Sequence, residues 1–175
     1  MEKSKNNQNI LTAGLLFVYL FVLTWIILFK MHFSFQELPH FSREINLIPT
    51  GSVNVNNQID YSQIIYNVLA FIPFGIYISM LKPNWSFLKK IVPIAGVSLL
   101  FETLQFIFAI GVSDITDLIG NTLGGIIGVG VYFVFFKLFS AKTNKILNVL
   151  ASIGTCIVAL LPLLILTSII RYSFH

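Results

Sequence analysis

The chain has 175 residues, of which 56% are hydrophobic and only 10% charged, with a formal net charge of +4 at pH 7. Soluble domains carry about 25% charged residues, so these charges cannot cover a water-soluble globule, and a mean hydropathy of +0.85 spreads the apolar excess along the chain. A disordered chain, a coiled coil and a disulfide scaffold are excluded, since the single Cys156 lies inside an apolar run. The composition predicts an all-α, polytopic membrane protein with one membrane domain over residues 1–175.

A membrane helix needs roughly 20 mainly apolar residues to cross about 30 Å of hydrocarbon, and five such stretches occur. The first runs from about Ile10 to Phe29. Lys3 and Lys5 precede it, but its apolar part exceeds the roughly 7–15 residues of a signal-peptide core and no small-residue cleavage site follows, so it reads as an anchor. The stretch from about Lys30 to Asp60, with Pro39, Pro49, Gly51 and the asparagines at 54, 56 and 57, reads as an outer loop. His32 and His40 within it, like His175, lack a compact metal-ligand spacing and read as solvated, so no metal or other cofactor is expected.

The second span runs from about Tyr61 to Leu81, the third from about Ile91 to Ile110, the fourth from about Ile115 to Phe136 and the fifth from about Leu147 to Ile170. Pro93 and Pro162 fall inside the third and fifth, where neighbouring helices can re-satisfy the backbone. Trp25, Trp85 and the tyrosines near span ends read as interfacial anchors.

Positive residues are retained on the cytoplasmic side. With the N-terminus inside, Lys3, Lys5, Lys82, Lys89, Lys90, Lys137, Lys142 and Lys145 fall in cytoplasmic segments and only Lys30, Arg43 and Arg171 fall outside. The bias places the N-terminus inside and the C-terminus outside. The basic composition is therefore a topology signal rather than a sign of nucleic-acid binding, with weak attraction to anionic membrane lipid as its side effect.

Six of the seven acids then have ordinary places: Glu2 inside, and Glu37, Glu44, Asp60, Asp114 and Asp117 outside. Glu102 is the exception. It lies in the third span, roughly 12 Å below the outer boundary by helical rise, where an acid is costly unless it is paired, hydrogen-bonded, protonated or facing water. Ser98, Glu102 and Gln105 share an arc of roughly 60° on that helix. Asp114, Asp117 and Asn121 share a similar arc on the fourth span, and Gln63 and Asn67 share a face on the second. Turning these stripes toward one another hides them from lipid. Gly120, Gly124 and Gly128 repeat every four residues beside Gly125, the pattern that lets membrane helices approach closely.

The segments Glu44-Ile45-Asn46-Leu47-Ile48-Pro49, Tyr66-Asn67-Val68-Leu69-Ala70-Phe71-Ile72-Pro73-Phe74-Gly75, Glu102-Thr103-Leu104-Gln105 and Ser113-Asp114-Ile115-Thr116-Asp117-Leu118-Ile119-Gly120-Asn121-Thr122-Leu123-Gly124-Gly125 together resemble the VanZ-like family. The resemblance covers residues 43–132, about half of the chain, and the last block is its most specific part. It implies an integral membrane protein linked to resistance against glycopeptide antibiotics, especially teicoplanin, and supplies no mechanism. Two departures stand out. Pro49-Thr50 replaces a common Pro-Phe, and Gly111-Val112 replaces a Gly-Arg pair whose arginine would neutralise Asp114 and Asp117. Either Arg43 substitutes for that arginine or a function of it is lost.

The binding candidates are Arg43, Asn46, Asn67, Glu102, Gln105, Asp114, Asp117 and Asn121. Each has a plainer reading. Ser113 or Asp114 can cap a helix, with Asp117 complementing its positive end, and Glu102 can hold helices together through Asn67 or Asn121. Three functions remain open. One is a non-catalytic factor binding a glycopeptide or the lipid-linked wall precursor it targets. Another is an enzyme on a lipid-linked envelope precursor, with Glu102 and Asp117 as acid–base or cation-holding carboxylates. A transporter is the weakest, given one ionisable residue within five spans and no internal repeat.

Overall fold

The computed structural model describes the backbone of residues 2–29, 45–46, 61–108 and 113–173, and side chains within 6–27, 46, 61–62, 64–108 and 113–160. Five helices dominate: α1 (Glu2–Phe29), α2 (Tyr61–Leu81), α3 (Phe87–Phe108), α4 (Ile115–Phe139) and α5 (Thr143–Ser173). Two short strands, β1 (Ile45–Asn46) and β2 (Ser113–Asp114), pair in parallel between them.

Among the described residues, four segments are long and apolar enough to cross a bilayer: Asn6–Ile27, Ile64–Leu81, Phe87–Phe108 and Ile115–Leu160. The last has 46 residues. As one straight helix it would measure about 69 Å, twice the hydrocarbon core. It is broken instead at Ser140, whose φ of 46° ends α4 and leads through a 3-10 turn (Ser140–Lys142) into α5. The chain is an all-α, multi-pass membrane protein.

Its distribution of polarity is the reverse of a soluble fold. Phe17, Phe21, Leu88, Val92 and Phe133 are exposed on the outer faces, while Asn67, Ser98, Glu102, Gln105 and Asn121 are buried. Lipid solvates the former and would penalise the latter. Hydroxyls on the helices avoid the same penalty locally. Thr24, Thr103, Thr122 and Thr155 each donate to the carbonyl four residues back, at 2.7–2.9 Å.

Several helices outrun their apolar stretches. α1 begins at Glu2, α3 at Phe87 and α5 at Thr143, because a helix satisfies its own backbone whether or not its first turn is apolar. In the stretch expected to be loop, residues 45–46 form a strand. His32, His40 and His175, like the rest of that loop, lie outside the described residues.

Contacts fix the helix directions. Ile64, Val68 and Ile72 on α2 face Gly120, Gly124 and Gly128 on α4 in order, so these two helices run parallel, and they share the most extensive helix contact. α3 runs antiparallel to α4, with Ile94 opposite Gly125 and Ser98 opposite Asn121. At its far end α3 meets β2 through Glu102. α1 and α5 are joined near their starts by a polar contact: Thr12 donates to Asn148 Oδ1 at 3.0 Å, and Asn148 Nδ2 donates to Gln8 Oε1 at 2.9 Å. The apolar core lies between these helices, with Phe71, Phe74, Ile94 and Phe101 at its centre. Phe71 sets its ring edge-on to both Phe74 and Phe101.

The bundle therefore has two chemically distinct ends. Lys82, Lys89, Lys90, Lys137, Lys142 and Lys145 collect where α2 and α4 finish and α3 and α5 begin. Glu102, Asp114 and Asp117 lie at the other end.

Candidate functional site

The acidic end is organised by the connection between α3 and α4. After α3 the chain returns through β2 and enters α4 at Ile115. This return carries the backbone of Asp114 over the buried Glu102. Glu102 Oε2 accepts from the Asp114 N–H at 2.8 Å and from Ser113 Oγ at 3.2 Å. The acid thus meets its nearest partners eleven and twelve residues on in the same chain, rather than Asn67 or Asn121 across the bundle. Charge-assisted bonds of this kind offset much of the cost of burying a carboxylate.

Asp114 does two jobs. Its backbone is extended (φ −118°, ψ 124°) and its Oδ1 accepts from the Thr116 N–H at 2.7 Å, which caps α4. Oδ2 accepts from Asn46 Nδ2 at 3.1 Å. That side-chain bond runs alongside the strand pairing, in which Ile45 faces Ser113 and Asn46 faces Asp114. Glu102, Ser113, Asp114 and Asn46 form one clasp that ties two inter-helix segments over the end of the bundle. Asp117 sits half-buried in the first turn of α4, within electrostatic reach of Glu102.

Deeper in, Asn121 Nδ2 donates to Ser98 Oγ at 3.0 Å and joins α4 to α3. Gln105 Nε2 donates to the Ile27 carbonyl of α1 at 3.3 Å. Asn67 is buried on α2 opposite Gly120, its Cβ 3.5 Å from where a Cβ on that glycine would sit. Among the described residues, Gln105 Oε1, Thr116 Oγ1 and Asn121 Oδ1 are buried without a hydrogen-bond partner. No group of three His, Cys, Asp or Glu side chains among them could share a metal ion. Arg43 lies outside the described residues.

The glycines differ from one another. A Cβ on Gly124 would overlap the Val68 carbonyl, one on Gly128 the Ile72 carbonyl, and one on Gly125 the Ile94 side chain. Gly120 has ordinary room for one. Gly75, absent from the packing expectation, belongs with the tight set, since its Cβ would overlap the Gly125 carbonyl. No periodic signal marks Gly75, because it is the only glycine on α2. Of the two capping candidates Asp114 takes the place and Ser113 donates to Glu102 instead, a role with no sequence signal, since a two-residue strand has no period to read.

A sequence model of the VanZ/LLP1 family matches residues 16–137. The chain belongs to that family. It is also 38% identical over 154 residues to Protein VanZ of Enterococcus faecium, an alignment covering 87% of this chain and 91% of that protein. No solved structure matches it. The VanZ/LLP1 match takes in the second half of α1 as well as the motif region over 43–132. It contains every described member of the clasp, and four tightly packed glycines: Gly75, Gly124, Gly125 and Gly128.

Proposed function

We propose that this VanZ/LLP1-family chain contributes to resistance against glycopeptide antibiotics of the teicoplanin type, or to cell-envelope homeostasis, as a non-catalytic membrane factor with an outward-facing polar site. The supporting observation is the clasp of Glu102, Ser113, Asp114 and Asn46 at the end of the bundle opposite the lysines. The positive-inside rule turns the lysine end toward the cytoplasm and the clasp toward the outer leaflet. There it meets an amphiphilic glycopeptide or the lipid-linked wall precursor that such an antibiotic targets.

The bonding pattern favours binding over catalysis. A general acid or base must be able to move its proton to or from a reacting group. Glu102 Oε2 is held by a backbone N–H and a hydroxyl, and both oxygens of Asp114 are engaged, Oδ1 by the α4 cap and Oδ2 by Asn46. Expressing the wild type in a teicoplanin-sensitive bacterial host tests the proposal. Reduced susceptibility is expected, weakened by Asp114→Ala at equal membrane abundance; unchanged susceptibility with wild type refutes it.

A further inference from the structure

The opposite end of the bundle carries a second feature, independent of the polar clasp. Lys90, in the first turns of α3, is buried, with 8% of its surface exposed. Its ammonium faces the ring of Tyr132 on α4, 5.9 Å from the centroid, and has no ion pair among the described residues. The acids with described side chains, Glu102, Asp114 and Asp117, all lie at the far end, and the Glu2 side chain is outside the described residues. An aromatic face compensates only part of what an ammonium loses on leaving water. Five further lysines at this end, Lys82, Lys89, Lys137, Lys142 and Lys145, are exposed and add to the same positive field.

Tyr132 stands between this ammonium and a neighbouring apolar cleft that neither Lys90 nor Tyr132 itself lines. It packs in one cluster with Tyr77, Met80 and Leu147, all three of which line a partly enclosed cavity of about 680 Å³ between α1, α2, α4 and α5. The cavity exists because α5 leans on α1 and barely touches α4. Its wall on α5 runs from Leu147 to Ala159, a rise of about 18 Å, close to the roughly 15 Å depth of one hydrocarbon leaflet. The cleft therefore starts at the lysine end and has the length of one acyl chain.

We propose that this cleft and Lys90 form a binding site for an anionic phospholipid of the leaflet at the lysine end, with one acyl chain between α1 and α5 and the phosphate at the Lys90 ammonium. The site supplies an anion that Lys90 lacks among the described residues and covers the apolar walls that α5 leaves open. It selects by headgroup charge as well as by chain, which distinguishes it from the annular lipid around any membrane helix.

The test uses the full chain purified in detergent, with lipid retention read by native mass spectrometry and thermal stability measured after adding back one lipid at a time. Phosphatidylglycerol is compared with phosphatidylcholine of identical chains and with inorganic phosphate. The expected order is a clear upward shift with phosphatidylglycerol, a smaller one with phosphatidylcholine and none with phosphate. Lys90→Met is expected to weaken phosphatidylglycerol binding about five- to tenfold, to the phosphatidylcholine level, whereas Lys137→Met, at an exposed lysine, keeps the preference. Gly154→Phe fills the cleft from a position where an added Cβ meets no neighbour within 4 Å, and is expected to abolish retention of both lipids. A phosphatidylglycerol preference that survives Lys90→Met, lipid retention that survives Gly154→Phe, or a phosphate shift equal to that of phosphatidylglycerol would each overturn the proposal.

Discussion

Substituting alanine at Gly124 and at Gly120 adds the same methyl to the same helix, one turn apart, and the two sites should respond with opposite sign. At Gly124 the new Cβ would overlap the Val68 carbonyl, which is backbone and cannot rotate aside. α2 and α4 must then separate by on the order of 1 Å. A gap of that size forfeits a quarter to a half of the dispersion attraction of each contact affected, and overpacking of this kind costs about 1–3 kcal/mol. At Gly120 the nearest neighbours of the new Cβ are at 3.5 and 3.6 Å, an ordinary contact. Replacing a helical glycine there gains up to about 1 kcal/mol of propensity. Both variants gain that propensity, so the expected difference between them is the overpacking cost alone, about 1–3 kcal/mol. At about 2–4 °C per kcal/mol for a chain of this length, Gly124→Ala should melt below wild type and Gly120→Ala at or above it, several degrees apart. Thermal unfolding of the purified protein in one detergent measures both. Equal midpoints for the two variants would refute the parallel α2–α4 register on which the reasoning rests.

Glu102→Leu should destabilise by about 1–3 kcal/mol, because it strands the Asp114 N–H and the Ser113 hydroxyl in a buried setting. Glu102→Gln keeps an acceptor there and should recover much of that loss in the same melting assay. Asn148→Leu removes the bonds to Thr12 and Gln8 that join α1 to α5. Membrane hydrogen bonds average about 0.6 kcal/mol each, so a loss near 1 kcal/mol in unfolding free energy is expected. For topology, a cysteine at Ser113 in a Cys156→Ser background should react in intact cells with a membrane-impermeant maleimide, and a cysteine at Lys142 should react only after lysis. Labelling in the reverse order would invert the orientation drawn from the lysines.

The membrane class, the apolar stretches and the lysine asymmetry were all readable from the sequence, because hydrophobic run length and charge placement are local properties of the chain. The run from Tyr61 to Leu81 becomes α2 over those same residues for that reason. Helical spacing likewise put Ser98, Glu102 and Gln105 on one face, and all three are buried together on α3. Which groups meet that face is not local. Glu102 takes its bonds from the returning backbone at Asp114, and Asn46 reaches Asp114 across 68 residues of chain. Spacing along one helix gives its own face but not the rotation or register of its neighbour. The tertiary structure alone therefore decided that Gly75 packs as tightly as Gly124 while Gly120 has room for a methyl, and that Lys90, one of several lysines marking a single side, is buried against Tyr132. Both outcomes depend on how closely α2, α3 and α4 approach, a distance set by packing across the bundle.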